Sequence, residues 1–282
     1  MVALAGCADD ERRPGKSTGA PSAAAGSPTY VAMGDSYTAA PGVGDTVDTG
    51  CSRSSSNYPS LVAAELGLAL TDVSCGGATT TSLVGVQETA VGAVAPQFAA
   101  LTPGTDVVTL SIGGNDDGLF AELFTTCLGL TDQDPDGAPC RDAFDAEGAD
   151  RALATIGLVE GRLTSALVGI KDRAPGAQVV LVGYPQLVPA TGRCDLLPLA
   201  PDDYDYVRDL MVALGAATEK AAADAGAAYV DVLAASEGHD ICAGEDAWVN
   251  GVGGPVDGAM GMHPFGAEQQ AVADLVVEAL AD

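Results

Sequence analysis

Five short apolar runs recur along the chain, each closed by glycine or small polar residues, with helical patterns between them. Thr29–Met33 (TYVAM) runs into Gly-Asp-Ser, and Leu70–Ser74 runs into Cys-Gly-Gly. Asp106–Ile112 (DVVTLSI) closes at Gly113-Gly114, Gln178–Val182 (QVVLV) at Gly183, and Ala227–Val232 (AAYVDV) is the last. Strands that are continuously apolar are buried on both faces. Between them, Asn57–Leu66, Arg151–Arg173, Asp202–Ala225 and Pro264–Leu280 read as helices, the first stopped by Gly67 and the second by Pro175-Gly176. This alternation predicts an α/β fold with a central five-stranded parallel sheet covered on both sides. No internal repeat or second domain is evident, so residues 29–282 are expected to form one domain. Ligands of such sheets bind beyond the carboxyl ends of the strands. Chemistry is therefore expected in the loops after Met33, Ser74, Ile112, Val182 and Val232.

Those loops carry Gly34-Asp35-Ser36-Tyr37, then Cys75-Gly76-Gly77-Ala78-Thr79, then Gly113-Gly114-Asn115-Asp116. The chain has two histidines, His239 and His263, the second in Met262-His263-Pro264 before the last helix. A serine becomes a nucleophile when a base takes its proton, and histidine suits that role near neutral pH. A developing oxyanion needs fixed donors. The Ser36 N–H, the Gly77 N–H and the Asn115 amide are candidates, Gly77 because no side chain stands in the way. Each fragment alone reads as a cap or a turn; together, in this order and at these strand ends, they point to one acyl centre.

GDSY, GGA, GGND and a late HP resemble the four blocks of the SGNH (GDSL) hydrolase family. The six-cysteine spacing and the AWVNG segment resemble its secreted actinobacterial esterase/lipase branch. The likeness runs from about Thr29 to the C-terminus. It implies a flavodoxin-like three-layer α/β/α sandwich, Ser36 as nucleophile, His263 as general acid/base, and an oxyanion hole of Ser36, Gly77 and Asn115. It implies no metal and no cofactor. The family usually places an acid three residues before the histidine, where Met260 stands here. Some members of the branch use a main-chain carbonyl instead, so the Met260 carbonyl is expected to orient His263, with Asp257 as the competing choice. The activity implied is carboxylic ester hydrolysis, by an esterase or lipase. A phospholipase or carbohydrate O-deacetylase is the alternative, and a surface lipoprotein that binds ligands without turnover is the non-enzymatic one.

Removing Cys7 leaves six cysteines, for which sequence proximity suggests Cys51–Cys75, Cys127–Cys140 and Cys194–Cys242; the branch has the same local pairing. Cys7 closes Leu4-Ala5-Gly6-Cys7, which resembles the lipobox of bacterial lipoproteins, where the cysteine is lipidated. Met1–Gly6 is shorter than the ~7–15 apolar residues of a signal peptide. Residues 1–28 are thus expected to be a truncated signal segment with its lipobox and a flexible linker. The expected setting is extracellular, with anchoring to the outer face of the cell membrane through Cys7.

The charge narrows the partners. Twelve Lys and Arg stand against 39 Asp and Glu, a net charge of −27. Nucleic-acid binding rests on cations neutralising phosphates, and anionic membranes repel such a chain, so a small-molecule or lipid ester is the expected partner and a monomer the expected state. Asp132-Gln133-Asp134-Pro135-Asp136-Gly137 matches the opening of a calcium loop, but Ala143 stands where its closing acid belongs, so an acidic turn is expected. Val84–Leu101 reads as an apolar core helix, His239 as a loop histidine near a disulfide, and Asp35 as structural.

Overall fold

The computed structural model describes residue 1, residues 26–145 and residues 148–281. Cys7 and most of the expected linker lie outside the described residues.

Strand β1 (Thr29–Gly34) leads into a single turn, α1 (Ser36–Ala39). A small hairpin, β2 (Thr46–Asp48) and β3 (Arg53–Ser54), precedes helix α2 (Tyr58–Leu66) and strand β4 (Ala69–Asp72). A second hairpin, β5 (Gln87–Thr89) and β6 (Gly92–Val94), precedes β7 (Val107–Ser111). Helices α3 (Leu119–Leu130), α4 (Pro139–Phe144) and α5 (Arg151–Arg173) follow, then β8 (Gln178–Val182). Helix α6 (Asp203–Ala225), strand β9 (Ala228–Val230), the turn α7 (Val232–Ala235) and helix α8 (Gly266–Ala281) complete the chain.

The five long-range strands form one parallel sheet in the order β4-β1-β7-β8-β9. Successive side chains of a strand point to opposite faces, and the two faces build two cores. Val31, Met33, Val108, Leu110, Val179 and Leu181 pack with α5 and α6. Tyr30, Ala32, Val107, Val180 and Val182 pack with α2 and α8. This is the α/β sandwich expected. Helix α5 is long and apolar enough by composition to cross a membrane, yet Ile156, Val159, Leu163, Leu167 and Ile170 are buried in this core.

The core helix expected over Val84–Leu101 is absent. The segment holds the β5–β6 hairpin and one 3₁₀ turn over Gln97–Ala100. Gly85, Gly92 and Pro96 interrupt any helix there, and Val84, Val86 and Val91 are exposed. Cys51 joins Cys75, Cys127 joins Cys140, and Cys194 joins Cys242. Among the described residues no cluster of three His, Cys, Asp or Glu side chains is placed to hold a metal ion, the Asp132–Asp136 turn included.

Candidate active site

The strand order decides which loops meet. Strand β1 lies between β4 and β7, so the loops after these three strands emerge side by side. They are the loops that carry Ser36, Gly77 and Asn115. The end of β1 is tied to both neighbours: Cys75 N–H donates to Gly34 O and Asp35 N–H to Ser111 O, each at 3.0 Å. Buried Gln97 grips the same residue, its Oε1 accepting from Gly34 N–H and its Nε2 donating to Gly34 O, both at 2.9 Å. A Cβ on Gly34 would stand 2.2 Å from Thr38 Oγ1 and 2.5 Å from Ser111 O, so glycine is required by crowding.

Ser36 is half-buried at the first position of α1. There its N–H has no intrahelical acceptor. Asp35 caps the turn, its Oδ1 accepting from Tyr37 N–H at 2.9 Å, and is 1% exposed. Burial pushes its carboxyl up to about 7, against the opposing pull of the hydroxyl donated by Tyr184.

Gly77 is exposed with φ +73°, and a Cβ built there meets nothing within 4 Å. The left-handed backbone, not crowding by neighbouring residues, selects glycine here, and the open space leaves its N–H approachable. Its loop is fastened from two sides. The Cys51–Cys75 disulfide is adjacent, with Gly76 N–H donating to Cys51 O at 2.8 Å. Thr80 is held through both its N–H and its hydroxyl by the Asp116 carboxylate. Asn115 is partly buried and spends one amide hydrogen on Ala78 O at 3.1 Å, which orients the group and leaves the second hydrogen to donate. Among the described residues the backbone N–H groups of Ser36 and Gly77 have no acceptor. Three donors on three adjacent loops thus stand without an intramolecular claim on them.

His263 reaches the same place from the other end of the chain. Its ring stacks on Tyr37 at 5.9 Å and 28°, and Tyr37 Oη donates to Met262 O at 2.9 Å. The residue after the serine thereby anchors the histidine loop. His263 Nδ1 lies 2.7 Å from Gly261 O. A carbonyl only accepts, so Nδ1 carries the proton and Nε2 presents its lone pair. This corrects the expected partner. Met260 O takes the backbone N–H of His263 at 3.2 Å instead, and Asp257 is exposed in the left-handed region at φ +46°. Met262, also left-handed at φ +61°, folds the chain back so that the carbonyl two residues before His263 meets its ring. Burial lowers the His263 pKa, the Gly261 contact opposing it. Ser36 Oγ and His263 Nε2 are not hydrogen-bonded in this structure; such contacts commonly tighten only with substrate bound.

His239 stands apart. Its ring stacks on Trp248 at 4.5 Å and its Nδ1 contacts Asp246 O at 2.7 Å, near Cys242. Gln97, Tyr184 and Gly261 carry no signature of a site role in the sequence. The first two sit in apolar surroundings that read as core, and the third acts through its backbone.

Known proteins are similar to this chain in sequence and fold. The GDSL-like lipase/acylhydrolase family matches residues 32–267. Lipase 2 of Streptomyces coelicolor is 42% identical over 230 residues, covering 79% of this chain and 76% of its own. The solved phospholipase A1 of Streptomyces albidoflavus NA297 is 32% identical with a TM-score of 0.75, covering 91% of this chain and 100% of the other. The extracellular lipase of Streptomyces rimosus is 30% identical with a TM-score of 0.68 over the same shares. With fold, loop order and sequence in agreement, the chain belongs to the GDSL-like lipase/acylhydrolase family and is an ester hydrolase.

Proposed function

We propose that the protein hydrolyses lipid esters outside the cell through an acyl-enzyme on Ser36. Ser36 Oγ attacks the ester carbonyl carbon while His263 Nε2 takes its proton. The carbonyl oxygen becomes an oxyanion, held by the Ser36 N–H, the Gly77 N–H and the free hydrogen of the Asn115 amide. The C–O bond to the alcohol then breaks, and His263 returns the proton to the leaving oxygen. Water, deprotonated by the same histidine, attacks the acyl carbon, and release of the acid regenerates Ser36. The Gly261 carbonyl orients the ring throughout, so Ser36 and His263 work as a dyad. All these groups come from one chain, so a monomer suffices, and no metal or organic cofactor enters any step.

The observation that carries this reading is the order β4-β1-β7, which sets three donor-bearing loops side by side, with His263 stacked beside the residue that follows Ser36. The choice of a lipid ester rests on the site's flanks. From Gly76 to Ala100 the sole charged residue is Glu88, and from Ala247 to Gly266 it is Asp257, in a chain of net charge −27. Val84, Val86 and Val91 on one flank, with Val256 and Met260 on the other, are exposed. Three disulfides and the extracellular relative support action outside the cell. Leu4-Ala5-Gly6-Cys7 supports lipidation at Cys7, which metabolic labelling with a fatty acid would detect and Cys7→Ala would abolish.

A fluorophosphonate probe tests the nucleophile. Wild type is expected to label and Ser36→Ala not to label; a folded wild type that stays unlabelled would refute the reading. Nitrophenyl esters of increasing chain length, a phospholipid and an acetylated sugar test the substrate class. Faster turnover of the acetylated sugar than of any lipid ester would replace the lipid assignment.

A further inference from the structure

Tyr184 follows β8 in Gly183-Tyr184-Pro185, on the strand beyond β7. It is 5% exposed, and its hydroxyl bonds to none of the groups assigned above to the reaction. Its hydroxyl is nevertheless used in both directions. It donates to Asp35 Oδ2 at 2.5 Å, and it accepts the Gly114 N–H at 2.9 Å. Asp35 is the residue before Ser36, and Gly114 is the residue before Asn115. A single phenol thus bridges the nucleophile turn and the loop that supplies the amide donor.

The surroundings fix the phenol in place. The Tyr184 ring meets Tyr37 edge-on at 5.2 Å and 87°, and Phe120 at 5.2 Å and 77°. The Phe120 ring fills the space beside Gly114, where a Cβ would lie 2.3 Å from it. Tyr37 is the residue that holds the His263 loop. Asp35 spends its other oxygen on the Tyr37 N–H. The buried Asp35 carboxylate is therefore satisfied by one donor from its own turn and one from Tyr184. Without the phenol hydroxyl, a buried carboxylate oxygen and a buried N–H would both lose their partner, and neither is well placed to find water.

We propose that Tyr184 is a positioning residue, setting the Ser36 turn and the Asn115 loop at the spacing the oxyanion hole requires by bridging Asp35 and the Gly114 N–H. The inference rests on Ser36 and Asn115 acting as described under the proposed function. An oxyanion forms only during reaction, so a displaced donor slows turnover without weakening binding of the ester. A displacement of about 1 Å near reacting groups costs up to about 100-fold.

The test is Tyr184→Phe, which keeps the ring and its packing. A kcat reduced about 10- to 100-fold, with KM within about twofold and slower labelling by the fluorophosphonate, is the expected result. Asp35→Asn measured alone and combined with Tyr184→Phe supplies a second reading. The double variant is expected to lose less than the product of the two single losses, because both remove one bridge. Circular dichroism at the assay temperature verifies that each variant is folded. A folded, labelled Tyr184→Phe with wild-type kcat overturns the positioning role and leaves the Ser36 assignment standing. A wild type that does not label overturns the Ser36 assignment itself. If Tyr184→Phe fails to fold, Asp35→Asn is read alone: wild-type kcat in the folded variant overturns the bridge, and a lowered kcat with KM within about twofold supports it.

Discussion

Asp116 holds Thr80 at two points, accepting the Thr80 N–H at 2.7 Å on Oδ1 and the Thr80 hydroxyl at 2.5 Å on Oδ2. The pair joins the loop of Asn115 to the loop of Gly77. Asp116 is 1% exposed and also meets Arg162 Nη1 at 3.1 Å, while Arg162 Nη2 reaches Asp117 at 2.9 Å. Asp116→Ala leaves a buried N–H, a hydroxyl and a guanidinium short of a partner. Removing one member of a buried ion pair typically costs about 3–5 kcal/mol; the half-exposed Arg162 places this case near about 3 kcal/mol. Denaturant unfolding should show that loss. Ester turnover at a temperature where the variant is still folded should fall at least about tenfold, since the two proposed oxyanion donors, Gly77 and Asn115, are loosened together.

The acidic neighbour of the histidine is expected to be dispensable. Asp257 is exposed and makes no contact with the His263 ring, whose Nδ1 is taken by Gly261 O. Asp257→Asn suits the left-handed backbone at this position and removes only the charge. Its kcat on a nitrophenyl ester is expected to stay near wild type. Loss of a triad acid costs about 10⁴-fold, and a loss on that scale would reinstate Asp257.

The pH profile follows from the state of His263. Burial lowers its pKa below the ordinary ~6.5. A general base works when neutral, so kcat/KM should be full above that pKa and fall as the pH drops through it. The midpoint of the acid limb, read from kcat/KM across pH 4 to 8, is expected below about 6.5. A midpoint above that value would contradict the desolvated ring.

Glu268, in the first turn of α8, is 3% exposed, and burial pushes its carboxyl from 4.5 up to about 8. A raised folded-state pKa contributes stability that is present below the unfolded value and lost as the pH rises through the folded one. That step corresponds to on the order of 5 kcal/mol. Glu268→Gln preserves an acceptor for Gln269 Nε2, which lies 2.6 Å from Glu268 Oε2. Between pH 5 and pH 9 the stability of the variant relative to wild type should therefore rise by several kcal/mol, as measured by urea unfolding at both values. An unchanged difference would place the ionisable group elsewhere.

The strands and the chemistry-bearing loops were legible because a parallel sheet needs continuous apolar runs, and these end abruptly at Gly34, Gly113 and Gly183. Serine, asparagine and histidine carry their chemistry in side chains and so announce themselves at such ends. The hairpin over residues 87–94 was not legible. Its valines have helical spacing, and only Gly85, Gly92 and Pro96 speak against a helix. Tyr184 was hidden because a tyrosine at the end of an apolar strand reads as core, and its two hydrogen bonds depend on which loops become neighbours. Gly261 was hidden for a deeper reason: every residue type has a carbonyl, so the partner of His263 depends on the path of the chain and leaves no signature in residue identity.

That last point changes what mutation can reach. A carboxylate partner can be deleted by one codon change, whereas a peptide oxygen survives every substitution at its own position. The vulnerability passes from chemical identity to shape. A Cβ on Gly261 would stand 2.4 Å from Gly253 O and 3.2 Å from Gly251 O. Drift in the exposed side chains of Asp257 and Met260 is thus tolerated chemically, while the smallest possible enlargement at residue 261 shifts the backbone that holds the imidazole.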